Sequence, residues 1–364
     1  MKIKNLCSYA PKSKIKAGEA VENAKYLFFT SSTDENKRYT DFQFDKEAII
    51  MGTGGNATLH YYNGKFSVST DCLVLLPNSK IKCKYLYYFF KSHMSVLEAG
   101  FKGAGLKHTN KKYIEEININ EVPDLTTQEK IISHLDTISD NIEKLNRELE
   151  LFDSLTKARF VEMFGDPEEN PFNWEKTLLT KVIINANNGM ARRGNDKDGN
   201  IVMRLVELQD GYIDYSNPNR IILKDNEKKR YLLKDKDFLF ARVNGNPDNV
   251  GRCAVFHDIG EDVYHNDHII RVHFDEELLN GTFASALFNS DYGKKQLKSQ
   301  IKTSAGQYTV SQDGIGAIAT ILPPAKLQNQ FADFVHQVDK SKLAVQKSFC
   351  LLYTSDAADD RISV

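Results

Sequence analysis

The chain has 364 residues, with 48 Lys+Arg against 49 Asp+Glu for a formal net charge of −1, and is 41% hydrophobic, 27% charged and 10% aromatic. At about 100 to 200 residues per domain that length asks for more than one core, and the composition excludes a disordered or fibrous chain. No apolar run approaches the ~18 to 20 residues that cross a bilayer, and Met1–Lys4 leads into polar sequence without a signal-peptide stretch, so a cytoplasmic protein without a membrane partner is expected.

The five cysteines, at 7, 72, 83, 253 and 350, are scattered, odd in number and never arranged as C-x-x-C. They read as reduced, mostly structural thiols rather than a disulfide framework or a zinc site. A near-zero total argues against wholesale wrapping of nucleic acid, but it hides an uneven distribution. Residues 1–122 hold 18 Lys+Arg and 12 Asp+Glu, or +6, which leaves −7 for the rest.

Taken in chain order, the segments recur at a spacing of about 200 residues. AIIMGTGGN (48–56) is answered by DFLFARVNGN (237–246), STDCLVLLP (69–77) by HNDHIIRVHF (265–274), and YLYYFFKS (85–92) by FASALFNS (283–290). Gly103–Thr109 is answered by Ser304–Thr309, and Pro123 with Gln128 by Pro323 with Gln328. Such an internal repeat decides the architecture before any single element does. Each half reads as a strand-rich α+β domain with Gly/Asn turns and one small helix, closed by a proline and followed by a long helix.

The first long helix opens with Thr126 and Glu129 in capping-box spacing, and its apolar residues fall at Ile131, Leu135, Ile138, Ile142, Leu145, Leu149 and Phe152. Steps of four and three over three heptads make a coiled-coil seam that needs a partner. The second long helix supplies Leu327, Phe331, Val335, Val338 and Val345. Two readings stand: the helices pack on each other, or each covers the core of its own domain. A helix from 127 to about 160 would extend roughly 50 Å at 1.5 Å per residue, which favours a bridge between the halves. Gly165-Asp166-Pro167 stops it.

Several of these segments together resemble the specificity (S) subunit of Type I restriction-modification enzymes: KYLFFTSS (25–32), LTTQEKIISHLDTISDNIEKLNRELELFDSLTKARFVEMFGDP (125–167), NWEKTLLTKVI (173–183), NGMARRG through RLVELQDGYID (188–214) and LPPAKLQNQFADFVHQVD (322–339). The resemblance covers nearly the whole chain. It implies two target-recognition domains, 1–122 and 166–322, each reading one half of a split double-stranded DNA site, separated by two antiparallel spacer helices, 123–165 and 323–349. It further implies docking of two methyltransferase (M) subunits and of restriction-translocase (R) subunits in a phage-defence system, with no cofactor bound by this chain. The repeat agrees: two similar domains about a pseudo-twofold axis meet a duplex in opposite orientations, and non-identical domains call for half-sites of different sequence.

Base readout needs polar or cationic side chains on loops that reach a groove. The candidates in the first half are Thr53, Asn56, Lys65, Lys102, Lys107, His108 and Asn110; in the second, Arg192, Arg193, Arg242, Asn244, Asn246, Thr303, Gln307 and Tyr308. Any one of them is equally well an exposed turn residue. Catalytic signatures are missing. Asn170-Pro171-Phe172 lacks the second proline of an amino-methyltransferase tetrapeptide and reads as a turn. Gly52-Thr53-Gly54-Gly55 has no following Lys-Ser/Thr and reads as a β-turn rather than a phosphate cradle. Asp235, Asp237 and Asp248 read as solvated turn charges, His265, His268 and His273 as structural rather than metal ligands because 265 and 268 would point to opposite faces of one strand, and Trp174 as an anchor for the second domain. Two readings from other classes remain: a coiled-coil scaffold without DNA specificity, and an enzyme with a degenerate site. Finally, Cys350–Asp359 reads as ten codons of a transposon-end sequencing adapter, so 350–364 is expected to be foreign and the second helix cut short.

Overall fold

The computed structural model describes residues 1–103, 105–304 and 306–359, with side chains described outside 304 and 349–359. The segment 350–364, expected to be foreign, therefore lies outside the residues whose side chains are described. The chain divides into two compact units, Met1–Lys144 and Leu145–Val364.

The first unit contains β1 (Cys7–Tyr9), β2 (Tyr26–Phe29), β3 (Arg38–Tyr39), β4 (Phe44–Gly52), β5 (Leu59–Val68), β6 (Cys72–Pro77), α1 (Cys83–Ser92), α2 (Met94–Glu98), α3 (Lys111–Glu116) and the start of α4 (Leu125–Phe164). Its strands form one sheet in the order β1-β6-β4-β5-β2-β3. β4 lies between β5 and β6, and Ala48–Gly52 is buried on both faces, which is why that stretch reads as a continuous apolar run rather than an alternation.

The second unit holds the end of α4, then β7 (Glu175–Leu178), β8 (Ile183–Asn188), β9 (Asn200–Met203), β10 (Arg220–Ile221), α5 (Asp225–Tyr231), β11 (Phe238–Ala241), β12 (Val243–Asn244), β13 (Cys253–Val255), β14 (Val263–His265), β15 (Ile269–Phe274), α6 (Gly281–Phe288), α7 (Asp291–Ser299), β16 (Lys302–Ser304), β17 (Gln307–Thr309), α8 (Gln312–Gly316), β18 (Ala319–Leu322) and α9 (Ala325–Asp359). Its main sheet runs β13-β11-β15-β8, all antiparallel. That order is the β5-β4-β6-β1 order of the first unit, also antiparallel throughout. The repeat seen in sequence is therefore a repeat of topology, with α1 to α4 answered by α6 to α9. Among the described residues three short helices stand in the first half and four in the second, where the sequence suggested one each, because five- to ten-residue helices leave too short an apolar stripe to show a period. Small sheets β10-β9-β14, β12-β17-β16 and β18-β7 belong to the second unit alone.

The long helices are rooted by one device used twice. Gln128 and Gln328 are fully buried. The Oε1 of Gln128 accepts from the N–H of Lys82, the N-cap of α1 (2.8 Å), while its Nε2 donates to the carbonyls of Pro123 (2.7 Å) and Lys80 (3.3 Å). The Oε1 of Gln328 accepts from the N–H of Asn280, the N-cap of α6 (2.9 Å), and its Nε2 donates to Pro323 (2.7 Å) and Leu278 (3.0 Å). Every donor and acceptor answers its counterpart residue for residue.

The start of α4 differs from the sequence reading. Asp124, not Thr126, caps it, its Oδ1 accepting from the N–H groups of Thr126 and Thr127 (3.0 Å each). A carboxylate one residue outside the helix reaches these orphan amides and also suits the positive end of the helix. The stop is as expected: Gly165 takes φ +75° with its N–H on the Val161 carbonyl, and the Trp174 indole N–H donates to the Phe164 carbonyl (2.9 Å). Trp174 thus anchors the turn that opens the second domain, and Asn170-Pro171-Phe172 forms that turn, with Asn170 bonded both ways to the Trp174 backbone.

The reading that the helices pack on each other holds along the end of α4, while among the described residues only α9 also covers the core of its own half. Within the second unit Phe160 and Phe164 of α4 meet Phe331 of α9 edge to face, and both also contact Phe283, while Leu327 and Val335 pack against the same core. Further along, the Arg159 guanidinium lies over Phe334 and Lys342 pairs with Asp153 at 2.5 Å. The pairs 164–331, 159–334 and 153–342 run in opposite senses, so α9 packs antiparallel to the end of α4. Ile131, Leu135, Ile138, Ile142, Leu145, Leu149, Phe152 and Val345 are half-buried, and Val338 is buried.

Replacing Gln328 by Ala should cost about 1–3 kcal/mol, the usual penalty for leaving buried partners unsatisfied, and lower the melting temperature of the second unit by roughly 2–4 °C per kcal/mol. Scanning calorimetry of the full chain measures it, and an unshifted transition would show the clasp to be energetically idle.

Candidate nucleic-acid interface

In the first unit the strand β4 ends at Gly52, and the loop after it is gripped by Ser31. The Ser31 hydroxyl accepts from the N–H groups of Thr53 (3.2 Å) and Gly54 (3.3 Å) and donates to the Asp71 carbonyl (2.7 Å). Only glycine fits at 52, since a Cβ there would meet the Ser31 backbone and the Thr58 hydroxyl. Burial alone would raise the Asp71 carboxyl, but hydrogen bonds from Ser69 and Ser31 outweigh it and hold the group below the usual carboxylate range.

This loop pairs with the segment that the sequence marked at 103–109. Lys102 and His108 exchange both backbone hydrogen bonds (3.0 Å each), Gly54 bridges His108, Gly55 N–H donates to Lys107 O (2.9 Å) and Thr109 N–H to Thr53 O (3.0 Å). Thr53, Lys102, Lys107 and His108 are thereby brought together, with Asn56 exposed on the same loop. The GTGG segment is a turn that supports this hairpin. Asn110 is spoken for: its side chain caps α3 by accepting from Tyr113 N–H (3.0 Å). Lys65 does not join the group. It sits opposite Asp45 near the other end of the β4–β5 ladder, about 20 Å along the strand, with Nζ over the Phe42 ring.

The second unit builds the same platform. Asn244 of β12 faces Tyr308 of β17, which faces Thr303 of β16, and Val310 N–H donates to Arg242 O (2.9 Å). Asn244, Thr303, Gln307 and Tyr308 therefore converge, with the Tyr308 ring packed on the core. Asn246 caps the following turn, accepting from Asp248 N–H (3.0 Å), and Asn244 in turn accepts from Asn246 N–H (2.9 Å). The three arginines are tethered. Arg242 donates to Asp267 O (3.0 Å), Arg193 to the Asp267 carboxylate (2.7 Å), and Arg192 to Ile222 O (2.9 Å) and Glu227 (3.2 Å). Arg242 and Arg193 thus share the Asp267 turn beside the hairpin, while Arg192 belongs to the α5 side.

Two sequence readings need correction. Asp237 is not a solvated turn charge. It is fully buried, accepts from Lys234 N–H (2.8 Å) and faces His273 (3.2 Å) and Arg271 (3.6 Å), the pairing that an interior carboxylate requires. His265 and His268 do not share a strand: β14 ends at His265, and His268 lies in the turn before β15. The His265 ring is buried with Nδ1–H on the Tyr231 carbonyl (3.1 Å), a structural role, and burial holds its pKa down to about 4. The residues that sequence reasoning missed, Ser31, Asp71 and Asp267, lie in polar turns with no pattern of their own.

Three comparisons bear on the identity of this surface. Residues 1–151 match the family model described as the Type I restriction modification DNA specificity domain. The specificity subunit of the Type I restriction enzyme StySPI from Salmonella potsdam is 27% identical over 286 residues, 75% of this chain and 62% of that one, so the chain spans less than two thirds of that relative. The EcoKI specificity subunit from Escherichia coli strain K12 is 23% identical over 311 residues, 80% and 67% of the two chains. In fold, the crystal structure of a Type I restriction-modification system S subunit from M. genitalium superimposes with a TM-score of 0.65 at 16% identity, covering 98% of this chain and 93% of that one. The chain is thus a relative of Type I specificity subunits.

The buried His265 makes the second unit sensitive to acid. Its folded pKa lies below the ordinary value near 6.5, so the unfolded chain binds the extra proton and stability falls as pH drops from about 6.5 towards 4. Melting curves over that range should steepen with a slope of up to one proton, about 1.4 kcal/mol per pH unit. His265→Gln should flatten that part of the curve.

Proposed function

We propose that this relative of Type I specificity subunits is the DNA-recognition subunit of a Type I restriction-modification system, that each unit reads one half of a split site, and that the chain itself carries out no catalysis. The observation that carries the reading is the duplicated hairpin platform. In both units a loop after the central strand and a hairpin before a capped short helix are locked together by backbone hydrogen bonds, which leaves side chains at the hairpin exposed. A rigid backbone that presents variable polar side chains is what base readout demands, and phosphate contacts from neighbouring cations supply register. Lys102 and Lys107 are exposed beside the first hairpin. The tethered Arg193 and Arg242 are held in fixed directions beside the second.

The same reading assigns α4 and α9 as the spacer and as the docking surface for two M subunits, with R subunits joining the assembly. Because α4 runs unbroken for 40 residues, its length sets the unread gap between the half-sites. The protein acts in the cytoplasm, where its DNA is. Among the described residues no helix is long and apolar enough to cross a membrane.

Co-expression with its methyltransferase partner in a methylation-free host, followed by long-read mapping of modified bases, should return a split motif with a fixed gap. Absence of any motif from a soluble, associated complex would favour the scaffold reading. Inserting one heptad after Lys144 should lengthen the gap by about three base pairs, from 1.5 Å per helical residue against 3.4 Å per base pair. Replacing Lys102 and Lys107 by Ala should weaken binding without changing the motif and reduce the salt slope by about 0.9 for each phosphate no longer neutralised.

A further inference from the structure

The two hairpins can be aligned residue by residue from their hydrogen bonds. Thr109 N–H reaches the carbonyl of Thr53 and Val310 N–H that of Arg242, and the next residues, Asn110 and Ser311, cap α3 and α8 by accepting from the N–H three positions on. Counting back from these anchors places Lys107 opposite Tyr308 and Leu106 opposite Gln307. Of these last two, Gln307 opens β17 and Leu106 lies in the bend two residues before His108; both are exposed. Leu106 is 72% exposed, the largest value among the exposed large hydrophobics of the described residues, although it sits beside the exposed Lys102 and Lys107. A leucine held out beside the Lys102–His108 bridge forgoes the stabilisation that burial would return, so its apolar end is available to whatever surface the hairpin meets.

We infer that Leu106 and Gln307 are equivalent specificity-determining residues that read different bases: Leu106 contacts the C5-methyl of a thymine, and Gln307 pairs with the N6/N7 edge of an adenine. This rests on the DNA-recognition reading above and adds to it the chemistry at one base pair in each half-site. In the major groove the thymine methyl is the apolar feature, and a side-chain amide matches the adjacent donor and acceptor of adenine. The backbone corresponds from Thr109 back to Lys107 and from Val310 back to Tyr308, so the exposed side chain one residue further on is a variable the two frames share, and exchanging the two residues should exchange the preferences.

The test is selection of a random duplex pool by the full chain in complex with its methyltransferase partner, for the native protein, Leu106→Gln and Gln307→Leu, each checked for an unchanged melting curve. Leu106→Gln should lose a thymine preference of about tenfold at one position of one half-site and gain adenine there, leaving the other half-site unaltered. Gln307→Leu should do the converse in the other half. A duplex with deoxyuridine in place of that thymine, which lacks only the methyl, should bind the native protein several-fold more weakly and Leu106→Gln no differently. If the native protein selects a split motif and Leu106→Gln selects the same one, or loses affinity equally for all sequences, the assignment is overturned while the DNA-recognition reading stands. A native protein that selects no motif would overturn both.

Discussion

The buried glutamine at the root of each long helix is the constraint from which the architecture follows. Gln128 and Gln328 each join two stretches of chain 46 to 50 residues apart: the start of a sheet-packed helix with the segment just before it, and the long helix with the proline that precedes it. A fully buried amide with all its partners costs little, but a register slip of one residue would orphan a donor and an acceptor together. The clasp therefore sets where α4 leaves the first sheet domain and where α9 leaves the second. Lys84 and Tyr88 of α1 add to the first attachment by both reaching Asp136 of α4.

The end of α4 is tied down by different means. Phe160 and Phe164 enter the aromatic cluster of the second core with Phe283 and Phe331, and the helix then stops where Gly165 adopts a conformation open to it and closed to a side chain, beside Pro171. One helix is thus polar-clasped at its beginning and apolar-packed at its end, and its intervening residues keep a half-buried seam at coiled-coil spacing. The exposed Leu151, Leu155 and Val161 near its end continue an apolar character that the second core does not use.

The two hairpin platforms show the same economy. The backbone hydrogen bonds that tie hairpin to loop correspond, Thr109 to Thr53 and Val310 to Arg242, while their cations are handled differently. In the first unit lysines stand exposed, consistent with the excess of positive charge in residues 1–122; in the second, arginines are held by Asp267 and Glu227. A tethered arginine loses less conformational freedom on meeting a phosphate or a base than a free lysine does, but part of its charge is already answered. The halves are alike in frame and unlike in electrostatics.

The sequence by itself determined the repeat, the order of elements in each half, the two long helices with their seam, and the Gly-Asp-Pro stop, because each leaves a local signature: a period, a turn residue, or a segment that recurs. It also pointed to the two hairpins, through Gly103–Thr109 and its counterpart at 304–309. Only the tertiary structure decided which polar side chains are free. Asn110 and Asn246 proved to be caps, Lys65 lay on the wrong end of a ladder, Arg192 was bound to a carbonyl 30 residues away, and Asp237 was buried against His273 36 residues on. Those outcomes depend on partners brought close by the sheet and not by the chain, and a partner distant in sequence leaves no mark on local pattern.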